Sequence, residues 1–194
     1  MILYLHGFRS SPQSFKARLL GERMRALGLE RQFCCPQLPG SPKAAMELAL
    51  NVIQDVPAAE LTLVGSSLGG YYANWLAEKI GCRAVLLNPA VQPPRDLEKY
   101  VGVTTAFHSN EVFEFKAEYI AELKELSVST ITMPERYFLI AATGDEVLDW
   151  REMTHHYAGA RHCVIQGSDH GLADFGDYVD HLLAFCGIQT ETGS

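Results

Sequence analysis

Gly65-Ser66-Ser67-Leu68-Gly69 follows directly on the apolar run Leu61-Thr62-Leu63-Val64. Together they prescribe a strand, a sharp turn and a helix, with a serine at the apex. This is the G-x-S-x-G nucleophile elbow, in which the turn strains the serine backbone and holds its hydroxyl out beyond the end of a sheet. Glycines two residues to either side are needed because side chains there would collide in so tight a turn. Ser67 is therefore the candidate nucleophile, against the plainer reading of a close-packed Gly/Ser connection with no chemistry. Two other glycine loops fail on the residues. A dinucleotide fingerprint, G-x-G-x-x-G, is broken by Ser67, and a P-loop needs a Gly-Lys-Ser/Thr that occurs nowhere in the chain. An ATP or NAD site is not expected at this turn.

Short apolar runs alternate with stretches of helical period along the rest of the chain. Strands are expected at 2–5, 32–35, 61–64, 84–87, 137–142 and 162–165. Ala84-Val85-Leu86-Leu87 and Tyr137-Phe138-Leu139-Ile140 are continuously apolar, as strands buried on both faces of a parallel sheet are. Ser11-Pro12 predicts a helix start, with Phe15, Leu19, Leu20, Met24 and Leu27 as the apolar face and Gly28 as the stop. Ser41-Pro42 repeats the device, with Ala45, Leu48, Ala49, Val52 and Ile53 facing inward. The helix after the elbow carries Ala73, Leu76 and Ile80 and ends at Gly81; the last carries Phe175, Val179, Leu182 and Leu183 and ends at Gly187. This order predicts an α/β fold, a mostly parallel sheet of about six strands with helices on both faces. One domain is expected over 1–187, followed by a C-terminal tail at 188–194. The segment 92–136 opens Gln92-Pro93-Pro94, has a helical-looking stretch near 111–126, and is too long for a simple crossover. It is an insertion, either a lid or pocket wall over the site or a helix packed on the flank of the sheet.

The net charge is −7 with no Lys/Arg block, which argues against nucleic-acid partners and stable membrane association. No run approaches the roughly 18 apolar residues of a membrane span. The N-terminus lacks a basic region ahead of a long apolar core, so no signal peptide is expected. Five cysteines, an odd number without a C-x-x-C, point to reduced thiols in a cytoplasmic protein and to no zinc site. No cofactor and no metal is called for, and the partner expected is a small-molecule substrate.

A serine hydroxyl is a weak nucleophile; it needs a base within reach and an acid to orient that base. In elbow proteins these follow in the order Ser, Asp or Glu, His, each in a loop beyond the carboxyl end of a strand. The last strand runs into Gln166-Gly167-Ser168-Asp169-His170-Gly171, which makes His170 the candidate base. His181 lies within a helix, His162 at the wrong end of a strand, and His155-His156 is a diverging pair; His108, in the insertion, is the remaining rival. The strand at 137–142 ends in Thr143-Gly144-Asp145-Glu146-Val147-Leu148-Asp149. Asp145 is the candidate acid, with Asp149 and then Glu146 as alternatives, while Asp169 points away from the imidazole and is structural. For the oxyanion, one donor is the amide of Leu68 at the positive end of the elbow helix. The second is the amide of Phe8 in the loop His6-Gly7-Phe8-Arg9-Ser10-Ser11, which His6 anchors.

With these residues in view, the chain resembles the α/β-hydrolases of minimal kind, and more narrowly the YqiA-type small bacterial esterases. The matching segments are 2–14, 64–70, 87–91 (Leu-Asn-Pro-Ala-Val), 143–149 and 167–171, spread from the first strand to the last loop. The resemblance implies a core lacking the first two strands of larger members, and Ser67, Asp145 and His170 as a triad. It implies esterase activity on acyl esters, with acyl-CoA thioesters a second substrate class. Tyr71, Tyr72, Phe107, Phe113, Phe115 and Tyr119 either wall an acyl pocket or pack the core. Two alternatives stay open: a non-catalytic ligand-binding protein of the same fold, and a peptidase or lactonase with the same triad.

Overall fold

A computed structural model of the chain describes residues 1–105 and 112–190. It runs β1 (Ile2–Leu5), α1 (Phe15–Ala26), β2 (Phe33–Cys34), α2 (Pro42–Ile53), β3 (Thr62–Ser66), α3 (Leu68–Ile80), β4 (Arg83–Leu87), α4 (Pro93–Leu97), β5 (Gly102–Thr105), β6 (Val112–Phe115), α5 (Ala117–Glu125), β7 (Tyr137–Ala142), α6 (Trp150–His156), β8 (Arg161–Ile165) and α7 (Val179–Phe185). Six of the strands form one sheet in the order β2-β1-β3-β4-β7-β8, and every neighbouring pair in it is parallel.

Because side chains alternate across a strand, each apolar run feeds two cores. Leu3, Leu5, Leu63, Leu86 and Leu139 face α2 and α3, where Ala45, Ala49, Ala73 and Leu76 receive them. Ile2, Tyr4, Val64, Val85 and Ile140 face α1 and α7, against Leu20, Met24, Leu182 and Leu183. A fully buried side chain of this size contributes about 1.5–3 kcal/mol, so the central strands are the most firmly held part of the molecule. The register Leu5↔Gly65 brings the loop after β1 beside the elbow after β3. The chain leaves β1 to one side for β2 and crosses to the other for β3, which opens a crevice at the carboxyl ends of those strands.

Two expectations about helices are corrected. α1 begins at Phe15, not after Ser11-Pro12. Ser11 instead closes a turn, accepting from the Gln13 amide on its hydroxyl (3.2 Å) and from the Ser14 amide on its carbonyl (3.0 Å). Phe15, at the first position of the helix, is 48% exposed, and the buried stripe is Lys16, Ala17, Leu20 and Met24. α2 starts as expected, with the Ser41 hydroxyl accepting from the Ala44 amide (3.1 Å) and Pro42 in the first turn, though Met46 is buried and Leu48 and Val52 only partly so. The helical-looking stretch near 111–126 is strand up to Phe115 and helix only from Ala117. Phe113-Glu114-Phe115 reads apolar, polar, apolar, and Val112–Phe115 pairs antiparallel with β5.

The insertion is tied to the body of the protein. The Tyr71 hydroxyl donates to the Leu123 carbonyl (2.7 Å), and Glu122 accepts from the Ser41 hydroxyl (2.7 Å) and the Lys43 amide (3.0 Å). Phe115 is 1% exposed and joins the core on the α2–α3 side of the sheet. Among the described residues no helix is long and apolar enough to cross a membrane.

Candidate active site

The elbow is built as its sequence requires. Ser67 has φ 54° and ψ −121°, a conformation that L-residues rarely adopt. It is held there from β4 and the loop after it: the Ser67 amide donates to the Leu87 carbonyl (3.0 Å) and the Ser67 carbonyl accepts from the Ala90 amide (3.0 Å). The flanking glycines have no room for a side chain. A Cβ on Gly65 would lie 2.2 Å from the Gly69 carbonyl oxygen, and one on Gly69 would lie 1.9 Å from that of Leu5. Gly7, two residues past β1, faces Ser67 directly: its Cβ would sit 3.2 Å from Ser67 Cβ and 3.7 Å from Oγ.

The loops after β7 and β8 are joined by backbone pairing that continues past the strands. The Thr143 amide donates to the Ile165 carbonyl (2.8 Å), the Gly144 amide to the Gly167 carbonyl (2.9 Å), and the Gly167 amide to the Thr143 hydroxyl (2.8 Å). This brings Asp145 and His170 together across 25 residues of sequence. His170 Nδ1 lies 2.8 Å from Asp145 Oδ2, and His170 Nε2 lies 3.1 Å from Ser67 Oγ. The Asp145 side chain is fully buried and that of His170 is 22% exposed. The second carboxylate oxygen of Asp145 accepts from the amides of Val147 and Leu148, both at 2.8 Å. A carboxylate only accepts, so His170 carries its proton on Nδ1 and turns the lone pair of Nε2 toward the serine hydroxyl. Serine, imidazole and carboxylate thus form one directed hydrogen-bonded chain at the ends of β3, β8 and β7.

The alternatives occupy other places. Asp149 caps α6, accepting from the Arg151 amide (2.9 Å). Glu146 accepts from the backbone amide of His170 (3.0 Å), and Asp169 from the amide of Ala173 (3.0 Å). His6 is buried, with Nδ1 donating to the Gly7 carbonyl (3.1 Å) and Nε2 accepting from the Leu38 amide (3.0 Å). Burial holds its pKa below the usual histidine value, so it is a neutral anchor for the loop that carries Gly7 and Phe8. His162 bonds the Tyr157 carbonyl (2.8 Å) and His156 the Asn74 amide group (3.3 Å). His108 and Phe107 lie outside the described residues, as does the side chain of Phe113. Tyr71, Tyr72 and Phe115 are core residues, and Tyr119 packs on Phe115 at 5.6 Å between ring centroids. The Phe8 ring meets Phe115 edge-on at 5.1 Å and Tyr100 at 5.6 Å, so the insertion roofs the loop after β1.

Three side chains hold the backbone around His170; Asn88 and Lys16 were not legible as site residues, and Glu146 was weighed only as an acid. Asn88, completely buried, donates to the carbonyls of Asp169 (3.0 Å) and His170 (3.2 Å), while its side-chain oxygen accepts from the Ala142 amide (2.8 Å). Lys16, 8% exposed, donates to the Gly171 carbonyl (2.7 Å) and reaches that of His170 (3.5 Å). Glu146 is the third. The sequence did carry a signal for Lys16: it stands at i−4 from Leu20 and i−8 from Met24, a charge in the buried stripe of a helix.

Sheet order, elbow and loop placement are those of an α/β-hydrolase, and solved structures agree. A protein of Agrobacterium vitis S4, provisionally named a hydrolase, has a TM-score of 0.76 at 18% identity over 95% of this chain and 87% of its own. Mouse alpha/beta hydrolase domain-containing protein 10 has a TM-score of 0.68 at 18% identity, covering 96% and 86%. Est1E from Butyrivibrio proteoclasticus, in a structure with ferulic acid bound, has a TM-score of 0.67 at 13% identity, covering 94% and 87%. At such identities the likeness is one of fold: the chain has the α/β-hydrolase fold. The narrower assignment comes from sequence: the model of the Uncharacterised protein family UPF0227 matches residues 1–187, and the chain belongs to that family.

Proposed function

We propose that the protein is a serine hydrolase of carboxylic acyl esters, acting through an acyl-enzyme. The observation that carries this reading is the chain from Ser67 Oγ through His170 to Asp145, with contacts of 3.1 Å and 2.8 Å. Ser67 attacks the ester carbonyl while His170 Nε2 takes its proton. The proton then passes from Nε2 to the leaving alkoxide, and Asp145 stabilises the imidazolium in between. Water enters, gives a proton to His170 and attacks the acyl carbon, which releases the carboxylic acid and restores Ser67. The tetrahedral oxyanion is met by the amides of Leu68 and Phe8. Leu68 opens α3, where backbone amides and the helix dipole favour negative charge. Gly7 brings the Phe8 peptide close to Ser67 because it has no Cβ.

An open cleft of about 450 Å³ lies between α3, α4 and α5, lined by Tyr71, Val91, Gln92, Arg95, Ile120 and Lys124; Ser67, Asp145 and His170 do not line it. Thioesters of acyl-CoA use the same attack and the same oxyanion.

The test is Ser67→Ala together with a fluorophosphonate probe. Ester turnover falls on the order of 10⁴–10⁶-fold in the folded variant, and the probe labels wild type at Ser67 and spares the variant. Labelling of a different serine, or turnover retained by Ser67→Ala, would reject the reading. Chromogenic esters of increasing acyl length, with an acyl-CoA in the same panel, assign the substrate.

A further inference from the structure

We propose that Lys16 is a positioning residue for the base: its buried ammonium clamps the main chain of the His170 loop from the α1 side. The proposal rests on the serine-hydrolase reading above.

The loop after β8 holds itself only in part, through the Leu172 amide on the Asp169 carbonyl (3.1 Å), the Ala173 amide on the Asp169 carboxylate (3.0 Å) and the Ser168 hydroxyl on Asp174. Gly167, Ser168 and Leu172 all have positive φ, at 76°, 58° and 51°, so three of its residues sit in the left-handed region and two of those are not glycine. Side chains from three other elements hold the segment 169–171 that carries the imidazole. Glu146 takes the His170 amide, Asn88 takes the carbonyls of Asp169 and His170, and Lys16 takes the carbonyl of Gly171. Asn88 and Glu146 come from the β4 and β7 loops, which belong to the same end of the sheet. Among the side-chain hydrogen bonds of the described residues to this segment, that of Lys16 comes from a helix on the face of the sheet, and it ties the base loop to α1.

Lys16 is also an expensive way to fill its position. None of the ion pairs among the described residues includes it, and its bonds are to neutral carbonyls. Burial brings its pKa down to about 8, against the pull of Asp169 and Asp145. A Met or Leu in the stripe with Leu20 and Met24 would be the stabilising choice. What the ammonium adds is a short charge-assisted bond, 2.7 Å, one residue from the imidazole that must meet both Ser67 and Asp145.

The experiment compares Lys16→Met, Lys16→Arg and Ser67→Ala with wild type near neutral pH on one short chromogenic ester, reading kcat, KM and melting temperature. Met fills the volume of the lysine stem, so the fold is kept while the clamp is lost. The expected result is a kcat for Lys16→Met lowered on the order of 10–100-fold, with KM and the melting temperature close to wild type. Lys16→Arg, which keeps charge and donors, recovers most of it. A folded Lys16→Met with wild-type kcat overturns the proposal, as does Lys16→Arg no more active than Lys16→Met. A Lys16→Met that does not fold also overturns it, because the residue then serves the core and not the base. If Ser67→Ala stays active, the underlying reading fails first; if Ser67→Ala is dead and Lys16→Met is not, only the clamp is lost.

Discussion

Asp145→Asn separates the acid from every other carboxylate near the site, and the structure sets the size of the effect. Asp145 accepts three N–H groups: His170 Nδ1 on one oxygen, and the amides of Val147 and Leu148 on the other, each at 2.8 Å. Asparagine offers one acceptor oxygen. Two fixed backbone amides hold it more strongly than one imidazole N–H, so the oxygen stays with Val147 and Leu148 and the NH₂ group turns to His170. Facing a donor, the ring moves its proton: Nδ1 accepts, and Nε2 now carries the hydrogen toward Ser67 Oγ. No lone pair is left to take the serine proton. The fold loses little, about 1 kcal/mol for a charged bond replaced by a neutral one. The reaction loses about 10⁴-fold in kcat, equivalent to roughly 5 kcal/mol of transition-state stabilisation at about 1.36 kcal/mol per decade. Initial rates on a short chromogenic ester, beside thermal melts, read both quantities. Asp149→Asn is the control: Asp149 caps α6, and asparagine caps as well as aspartate, so activity and stability stay near wild type. A folded Asp145→Asn within about tenfold of wild type would refute the tautomer reasoning, and the reverse ranking of the two variants would move the acid to Asp149.

Gly69→Ala should cost about 3 kcal/mol or more in urea unfolding, because its Cβ would meet the Leu5 carbonyl oxygen at 1.9 Å and the His6 carbonyl oxygen at 2.7 Å, both fixed backbone. Gly28→Ala, with φ 70° and open space around it, should cost only about 1 kcal/mol; equal losses would contradict the close-packing account of the elbow. The buried His6 has a folded pKa below its unfolded one, so its contribution is intact above about pH 6.5 and declines as protons bind the unfolded chain at lower pH. Urea melts at about pH 7.5 and about pH 5.5 should therefore show a larger acid loss for wild type than for His6→Gln, and identical losses would remove His6 from the account; His156, also depressed by burial, acts in the same direction in both proteins.

Most of the fold was legible because its strands obey a local rule. A run such as Tyr137-Phe138-Leu139-Ile140 has no polar face to show water, and it became a central strand with the bounds 137–142 that the sequence predicts. Gly28, Gly81 and Gly187, placed as helix stops, all have positive φ there, at 70°, 83° and 80°. The misplaced start of α1 has a physical cause: Ser-Pro is equally good chemistry for a turn, and only the tertiary burial of Lys16, Ala17, Leu20 and Met24 decides between them. The hairpin of the insertion was missed because Val112-Phe113-Glu114-Phe115 is four residues long and runs into a true helix, so the helical period of 117–125 masked the alternation before it.

The site divides in the same way. Ser67, Asp145 and His170 are each one to five residues beyond the end of a strand, and chain order plus residue type finds them. The residues that hold them obey no such rule. Asn88 bonds Ala142, 54 residues on, and His170, 82 residues on; Lys16 reaches Gly171 across 155. What selects these side chains is the left-handed backbone of the base loop, whose carbonyls and amides have no strand or helix to pair with and must be satisfied by whatever the finished sheet brings near. That demand exists only after β4, β7 and β8 have paired, so no local window of sequence contains it. A buried charge in an apolar helical stripe is the one trace it leaves, and Lys16 is such a residue.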